Sequence, residues 1–195
     1  MILTDKSLLE LMARKDSPII ENGITEQIKH DDRGKKIPSY GINSCGYDVR
    51  CVPHWKTVNK RPLSKGIKLE DLDSPEWDAN ISDNPEETTY WIEPGRLVLT
   101  TTVEKFNVPT DVMGVCMTKS TWARLGVYVL TTALMPGWSG QLVLEITNLN
   151  NVPVELVSGV GIAQVCFHKL DGEPLNPYSV SGKYMRQVGV QSAKL

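Results

Sequence analysis

The chain of 195 residues is 41% hydrophobic, enough for one sizeable core, and is expected to form one compact domain over residues 1–195. Its 21 Lys and Arg against 23 Asp and Glu leave a formal net charge of -2, which excludes a chain that binds nucleic acid through overall basicity, though small anionic ligands stay open to it. No long apolar run occurs and no basic region leads into one at the N-terminus, so neither a membrane span nor an export leader is expected and the protein reads as cytoplasmic.

Thr4, Asp5, Leu8, Leu9, Leu11 and Met12 predict a capped amphipathic helix within residues 1–17, ending near Asp16-Ser17-Pro18. Ile19 to Ser39 is polar and broken by Gly23, Gly34 and Pro38, and its charged run Lys29 to Arg33 reads as a solvated loop. Pro53 to Glu87, holding Trp55 and Trp77, reads as an excursion with short strands. From Tyr90 onward, turns roughly every ten residues separate six predicted strands: Arg96–Thr102, Val112–Met117, Val127–Thr132, Gln141–Asn148, Val154–Val157 and Ile162–His168. This pattern fits a sandwich or barrel. Residues 171–195 look like a C-terminal arm. The four cysteines lack C-x-x-C spacing and read as reduced thiols, with Cys116 and Cys166 as small core residues.

Two segments break the β pattern. Between two strands, Thr118 to Gly126 carries a Ser or Thr as N-cap, helix-tolerant residues and a terminal Gly, predicting one helical turn. Lys119, Ser120 and Thr121 lie at its positive end, and Ser120 and Arg124, at i and i+4, share a face. The segment is either a small anion site or a connector whose Arg124 makes a structural ion pair. In Leu142-Val143-Leu144-Glu145-Ile146 a carboxylate interrupts an apolar strand, on the face of Val143 and Thr147. Glu145 there meets a cation or has a raised pKa, as acid/base groups do, or it faces solvent or a neighbouring subunit.

Zinc nucleotide deaminases need a His or Cys beside a catalytic Glu and a P-C-x-x-C pair, and neither occurs in this sequence. His30, His54 and His168 lie far apart without ligand spacing. Walker-type loops, G-x-G-x-x-G after a strand, and G-x-S-x-G are also missing.

Four stretches in order, Ser39 to Arg50, Lys119 to Gly126, Pro136 to Gly140 with Leu142 to Glu145, and Gly182-Lys183-Tyr184 with Gln187 and Gly189, resemble the dCTP deaminases of the dUTPase superfamily. The resemblance runs nearly end to end. It implies a mainly β, dUTPase-like distorted barrel or jelly roll with a short N-terminal helix, a helical turn at the active site and an arm that closes over the nucleotide. A cytoplasmic homotrimer is implied, with sites at subunit boundaries. It implies hydrolysis of dCTP to dUTP and ammonia, with Ser120, Arg124 and Glu145 around the cytosine ring. Lys119, Ser120, Thr121, Tyr178, Lys183 and Gln187 would contact the triphosphate, which would carry Mg²⁺ without a protein cage. Thr132, Ala133 and Met135 would line the nucleotide, Asp48 and Arg50 would be structural, and dTTP is a candidate feedback inhibitor. From the demands of the reaction, Glu145 is read as the proton shuttle, Ser120 as the group orienting water and Arg124 as the cation stabilising charge.

The sequence departs from the family in one place. Thr132-Ala133-Leu134-Met135-Pro136-Gly137 is a short form of the loop, with Met135 where a sugar-binding acid is usual, so CTP becomes a candidate second substrate. The competing readings are a dUTPase, a bifunctional deaminase and dUTPase, or a non-catalytic nucleotide-sensing module.

Overall fold

The structure, a computed structural model, describes residues 1–58, 69, 72 and 81–193 and is mainly β. Most of the interior of the Pro53–Glu87 excursion, Trp77 included, lies outside the described residues, as do 194 and 195 at the end of the arm. Helix α1 (Asp5–Met12) precedes β1 (Ile20–Glu21), β2 (Gln27–His30), β3 (Lys36–Asn43), β4 (Gly46–Arg50), β5 (His54–Val58) and β6 (Ile81–Pro85). Next come β7 (Thr89–Ile92), β8 (Leu97–Asn107), β9 (Val112–Thr118), the turn α2 (Ser120–Ala123), β10 (Val127–Val129) and β11 (Thr132–Leu134). The chain continues with β12 (Ser139–Asn148), β13 (Val154–Val157), β14 (Gly161–Lys169) and α3 (Tyr178–Ser181).

These strands form two six-stranded sheets and one two-stranded ribbon, β13 with β7, rather than one closed barrel among the described residues. The first sheet runs β10-β12-β8-β5-β6, with β1 on the far part of β8. The second runs β11-β9-β14-β4-β3-β2. Alternation along each strand turns Val98, Leu142, Leu144 and Ile146 of one sheet toward Tyr47, Val49, Val165 and Phe167 of the other, all at most 4% exposed. Phe106 joins the two layers, its ring 6.3 Å from Phe167 and 6.4 Å from Trp138. Each such side chain contributes about 1.5–3 kcal/mol on burial, so this interface holds the sheets together.

Several expectations are corrected. The helix ends at Met12, not near Pro18, with Leu8 as its fully buried anchor; Thr4 holds the N-cap position but makes no side-chain cap bond. The broken, polar stretch Ile19 to Ser39 carries strands: Ile20 pairs with Phe106, and Ile28 lies opposite Tyr40 in a hairpin. In the charged run, Lys29 and His30 end β2, and Asp31 turns the chain by accepting from the backbone N–H of Arg33 (3.0 Å) and Lys35 (2.8 Å). Cys116 is buried as expected, but Cys51 is also fully buried and Cys166 only half-buried.

The expected strand Val127–Thr132 is two strands in different sheets. Leu130 N donates to Glu145 O (2.8 Å) as the last rung on β12, and Thr132 then pairs with Cys116 on β9. Thr118 makes the corner: its hydroxyl both donates to Val129 O and accepts from Val129 N, each at 2.9 Å. That hydroxyl is therefore not a helix cap, and Lys119 occupies the N-cap of α2.

Candidate active site

Glu145 lies half-buried on β12, opposite Leu99 of β8 and Leu130 at the end of β10. Directly paired residues share a sheet face, so Leu99, Leu130 and, two residues on, Leu97 and Tyr128 surround this carboxylate with apolar surface. A cavity of about 390 Å³ opens over it. Its walls include Leu97, Leu99, Val143 and Trp138, and its polar groups include Thr132, Tyr178 and Gln187; Ala133 and Met135 complete the rim. The volume suits a small molecule. Burial pushes the Glu145 carboxyl above the usual carboxylate range, opposed by its own backbone N–H and by the Thr132 hydroxyl, which donates to Oε2 (3.4 Å).

The helical turn is built independently of that cavity. Trp122 is its buried anchor, with Nε1 donating to Gly161 O (2.8 Å), and Gly126 stops it at φ 75°, where a Cβ would press on Asn150. Ser120, Thr121 and Arg124 are left exposed. Arg124 Nη1 donates to Ser120 O (3.2 Å), and no ion pair joins Arg124 to Glu145 within the chain. Lys119 is half-buried and paired with Asp48. Of the residues singled out from sequence, the structure thus gathers Glu145, Thr132, Ala133, Met135, Tyr178 and Gln187 around one cavity. Lys119, Ser120, Thr121 and Arg124 stand together elsewhere on the same chain, outside its lining.

The arm is part of the body of the protein rather than an appendage. Trp138 Nε1 donates to Tyr184 O (2.9 Å), Tyr184 N to the Tyr178 hydroxyl (3.1 Å), and Arg186 N to Ser139 O (2.7 Å). Gln187 then runs beside Gly140: Gln141 N donates to Gln187 O (2.9 Å) and Gln187 Nε2 to Gln141 O (2.8 Å). Gly140, at φ 142°, makes that approach possible, since a Cβ there would lie 2.9 Å from the Gln187 backbone. Gln187 and Val190 end up buried. Lys183 is exposed, its ammonium 5.8 Å from the Tyr184 ring centroid, and does not line the cavity.

The apolar walls Leu97 and Leu99 went unnoticed in the sequence because only the β8–β12 register places them beside Glu145. Trp138 stood in a recognised motif, but its link to Tyr184 spans 46 residues and has no local signal. Among the described residues no group of three or more His, Cys, Asp or Glu side chains is placed to hold a metal ion.

Comparison with known proteins fits this arrangement. A family described as dCTP deaminase-like matches residues 2–170. A dCTP deaminase of Acinetobacter baumannii (strain AYE) is 34% identical over 177 residues, covering 90% of each chain. One of Pseudomonas fluorescens (strain Pf0-1) is 36% identical over 173 residues, covering 88% of each. The crystal structure of 2'-deoxycytidine 5'-triphosphate deaminase from Agrobacterium tumefaciens shares the fold, with a TM-score of 0.60 at 17% identity. That match covers 86% of this chain and 48% of the longer one. The matched span from residue 2 to residue 170 and relatives at 34–36% identity over about nine-tenths of the chain show that it belongs to the dCTP deaminase-like family, and its mainly β sheets agree with that.

Proposed function

We propose that this protein deaminates dCTP to dUTP and ammonia, with Glu145 as the proton carrier and no catalytic zinc, at sites shared between the subunits of a homotrimer. The observation that supports this best is the Glu145 carboxyl, pushed up in pKa by burial in a largely apolar cavity of about 390 Å³, roomy enough for a small ligand such as a nucleoside. A carboxyl raised in this way holds a proton more readily than an exposed one, as a group that must both take and give protons requires. As water adds to C4 of the ring, Glu145 accepts one of its protons and passes it to N3. The remaining hydroxyl proton then moves through Glu145 to the amino group, which departs as ammonia while the C4 carbonyl forms. The residues flanking Glu145 include no His or Cys, so the donor set of a zinc deaminase is not offered there.

Ser120 orients the water, and Arg124 holds Glu145 and stabilises charge on the ring. Neither residue lines this chain's cavity, which favours their being supplied by the turn of a neighbouring subunit. The exposed apolar side chains near the cavity, Leu97, Tyr128, Leu130 and Met135, each at least 40% exposed in the single chain, are consistent with burial in such an assembly. Lys119, Thr121, Tyr178, Lys183 and Gln187 bind the triphosphate, and Mg²⁺ arrives on the phosphate oxygens. Thr132 and Ala133 line the base and sugar. Met135 at the rim cannot grip the sugar 3′-hydroxyl as an acid would, so the ring is fixed less firmly against the pocket wall, the flexible thioether leaves room beside it, and CTP is a second substrate.

Incubation with dCTP and Mg²⁺, read by chromatography and an ammonia assay, tests the reading. Equimolar dUTP and ammonia are expected. Pyrophosphate appearing with ammonia would instead indicate a bifunctional enzyme, and neither product a nucleotide-sensing module. Adding dTTP to the same assay scores it as a feedback inhibitor.

A further inference from the structure

Asp48, on β4, is 2% exposed and its carboxylate is fully engaged. Asn43 Nδ2 donates to Oδ1 (3.0 Å), Ser39 Oγ to Oδ2 (3.4 Å), and the Lys119 ammonium pairs with Oδ2. Two of these partners come from β3, and the third is the N-cap of the turn that carries Ser120 and Arg124. Lys119 is tied by its backbone as well: its N–H donates to Ile162 O (3.4 Å) and its carbonyl accepts from Trp122 N (3.0 Å) and Ala123 N (3.1 Å).

A buried carboxylate without a cation is costly, so Asp48 holds the ammonium on one side of the turn. The lysine stem is otherwise flexible and loses much rotamer freedom when it must grip a ligand. With 14% of its side-chain surface still exposed and three protons to donate, Lys119 can meet an anion while keeping Asp48.

We infer that Asp48 is a positioning residue for the phosphate subsite: it pre-sets the Lys119 ammonium at the start of α2, so that triphosphate meets a fixed cation rather than a mobile one. This rests on the reading of Lys119 as a triphosphate contact. It goes beyond a purely structural part for Asp48, because its effect is directed through one side chain to one portion of the nucleotide.

The test is a double-mutant cycle with Asp48→Asn, Lys119→Met and the double variant. Asp48→Asn should raise KM for dCTP about tenfold, the size of one lost charge-assisted contact, and leave kcat within about threefold. Lys119→Met should do the same, and the double variant should be no worse than Lys119→Met alone. An unchanged KM in Asp48→Asn, or penalties that multiply in the double variant, would overturn the inference. If Asp48→Asn does not fold by circular dichroism, Asn43→Ala, which removes the 3.0 Å donor, takes its place with an expected two- to fivefold rise in KM; no rise counts against it. Calorimetric titration of the same proteins with inorganic triphosphate separates this inference from the deamination reading. The same order of affinities is expected there without any turnover, and equal affinities in all variants would overturn the inference even if dCTP is deaminated.

Discussion

Replacing Met135 with Glu puts a carboxylate at the rim of the cavity that holds Glu145. A sheltered hydrogen bond to a charged partner is worth about 1.5–3 kcal/mol, but Met135 is 44% exposed, so water competes for a new carboxylate at this position. About 1–1.4 kcal/mol is then the fitting magnitude, or roughly a five- to tenfold change in an affinity ratio. A second negative charge in the cavity also favours the protonated form of Glu145. The assay is competition between dCTP and CTP, read as the ratio of kcat/KM, across pH. The wild-type chain should deaminate CTP measurably. Met135→Glu should gain roughly five- to tenfold in preference for the deoxy sugar, and the acid limb of its pH profile should move upward. If CTP is untouched by the wild type and the ratio is the same in the variant, another part of the pocket reads the sugar and the reasoning fails.

Three further outcomes follow from the geometry. If Glu145 and the turn meet across a subunit boundary, mixing inactive Glu145→Gln and Arg124→Ala chains in equal amounts should restore about a quarter of wild-type activity, because one site in four joins two intact halves; no recovery on verified mixing would place both residues in one chain's site. Gly140→Ala should loosen the arm, seen as faster hydrogen exchange in residues 184–189, since its Cβ would press on Gln187; unchanged protection would show that the arm does not depend on this approach. Glu104 is buried, accepting from the Tyr47 hydroxyl (3.3 Å) and from Arg50 Nε (2.8 Å), so Glu104→Ala should cost about 3–5 kcal/mol in urea melts. Burial holds that carboxyl above its usual range in spite of Arg50. Its stabilising contribution is therefore full below the ordinary Glu value and declines as pH rises through the native one, so the cost should shrink from pH 4 to pH 8. A cost that grows over that interval contradicts the direction.

Much of the site was readable because β periodicity is strong where a sheet is buried on one face. Leu142 to Ile146 announced both a strand and the oddity of Glu145, and the structure puts that carboxylate in the cavity. The N-cap of α2 is Lys119 rather than a Ser or Thr, since the nearby Thr118 spends its hydroxyl on Val129, a contact 11 residues away. For the same reason one expected strand became two, as no local propensity marks a chain that changes sheets at Leu130. Residues 19–39 hid β1 and β2 because β1 is two residues long and β2 is short and largely polar, and they exist through pairing with β8 and β3. The Lys119–Asp48 pair, 71 residues apart, had no local signal either.

The claim that Glu145 carries the protons is tested most directly by ammonia release from dCTP in wild-type protein and in Glu145→Gln, alongside dCTP binding to both. The amide keeps the shape and a hydrogen-bonding group but cannot shuttle a proton. Turnover should fall by about 10²–10⁴-fold, the range for loss of a general acid/base, while the Kd for dCTP stays within about threefold. Wild-type turnover in Glu145→Gln would contradict the account.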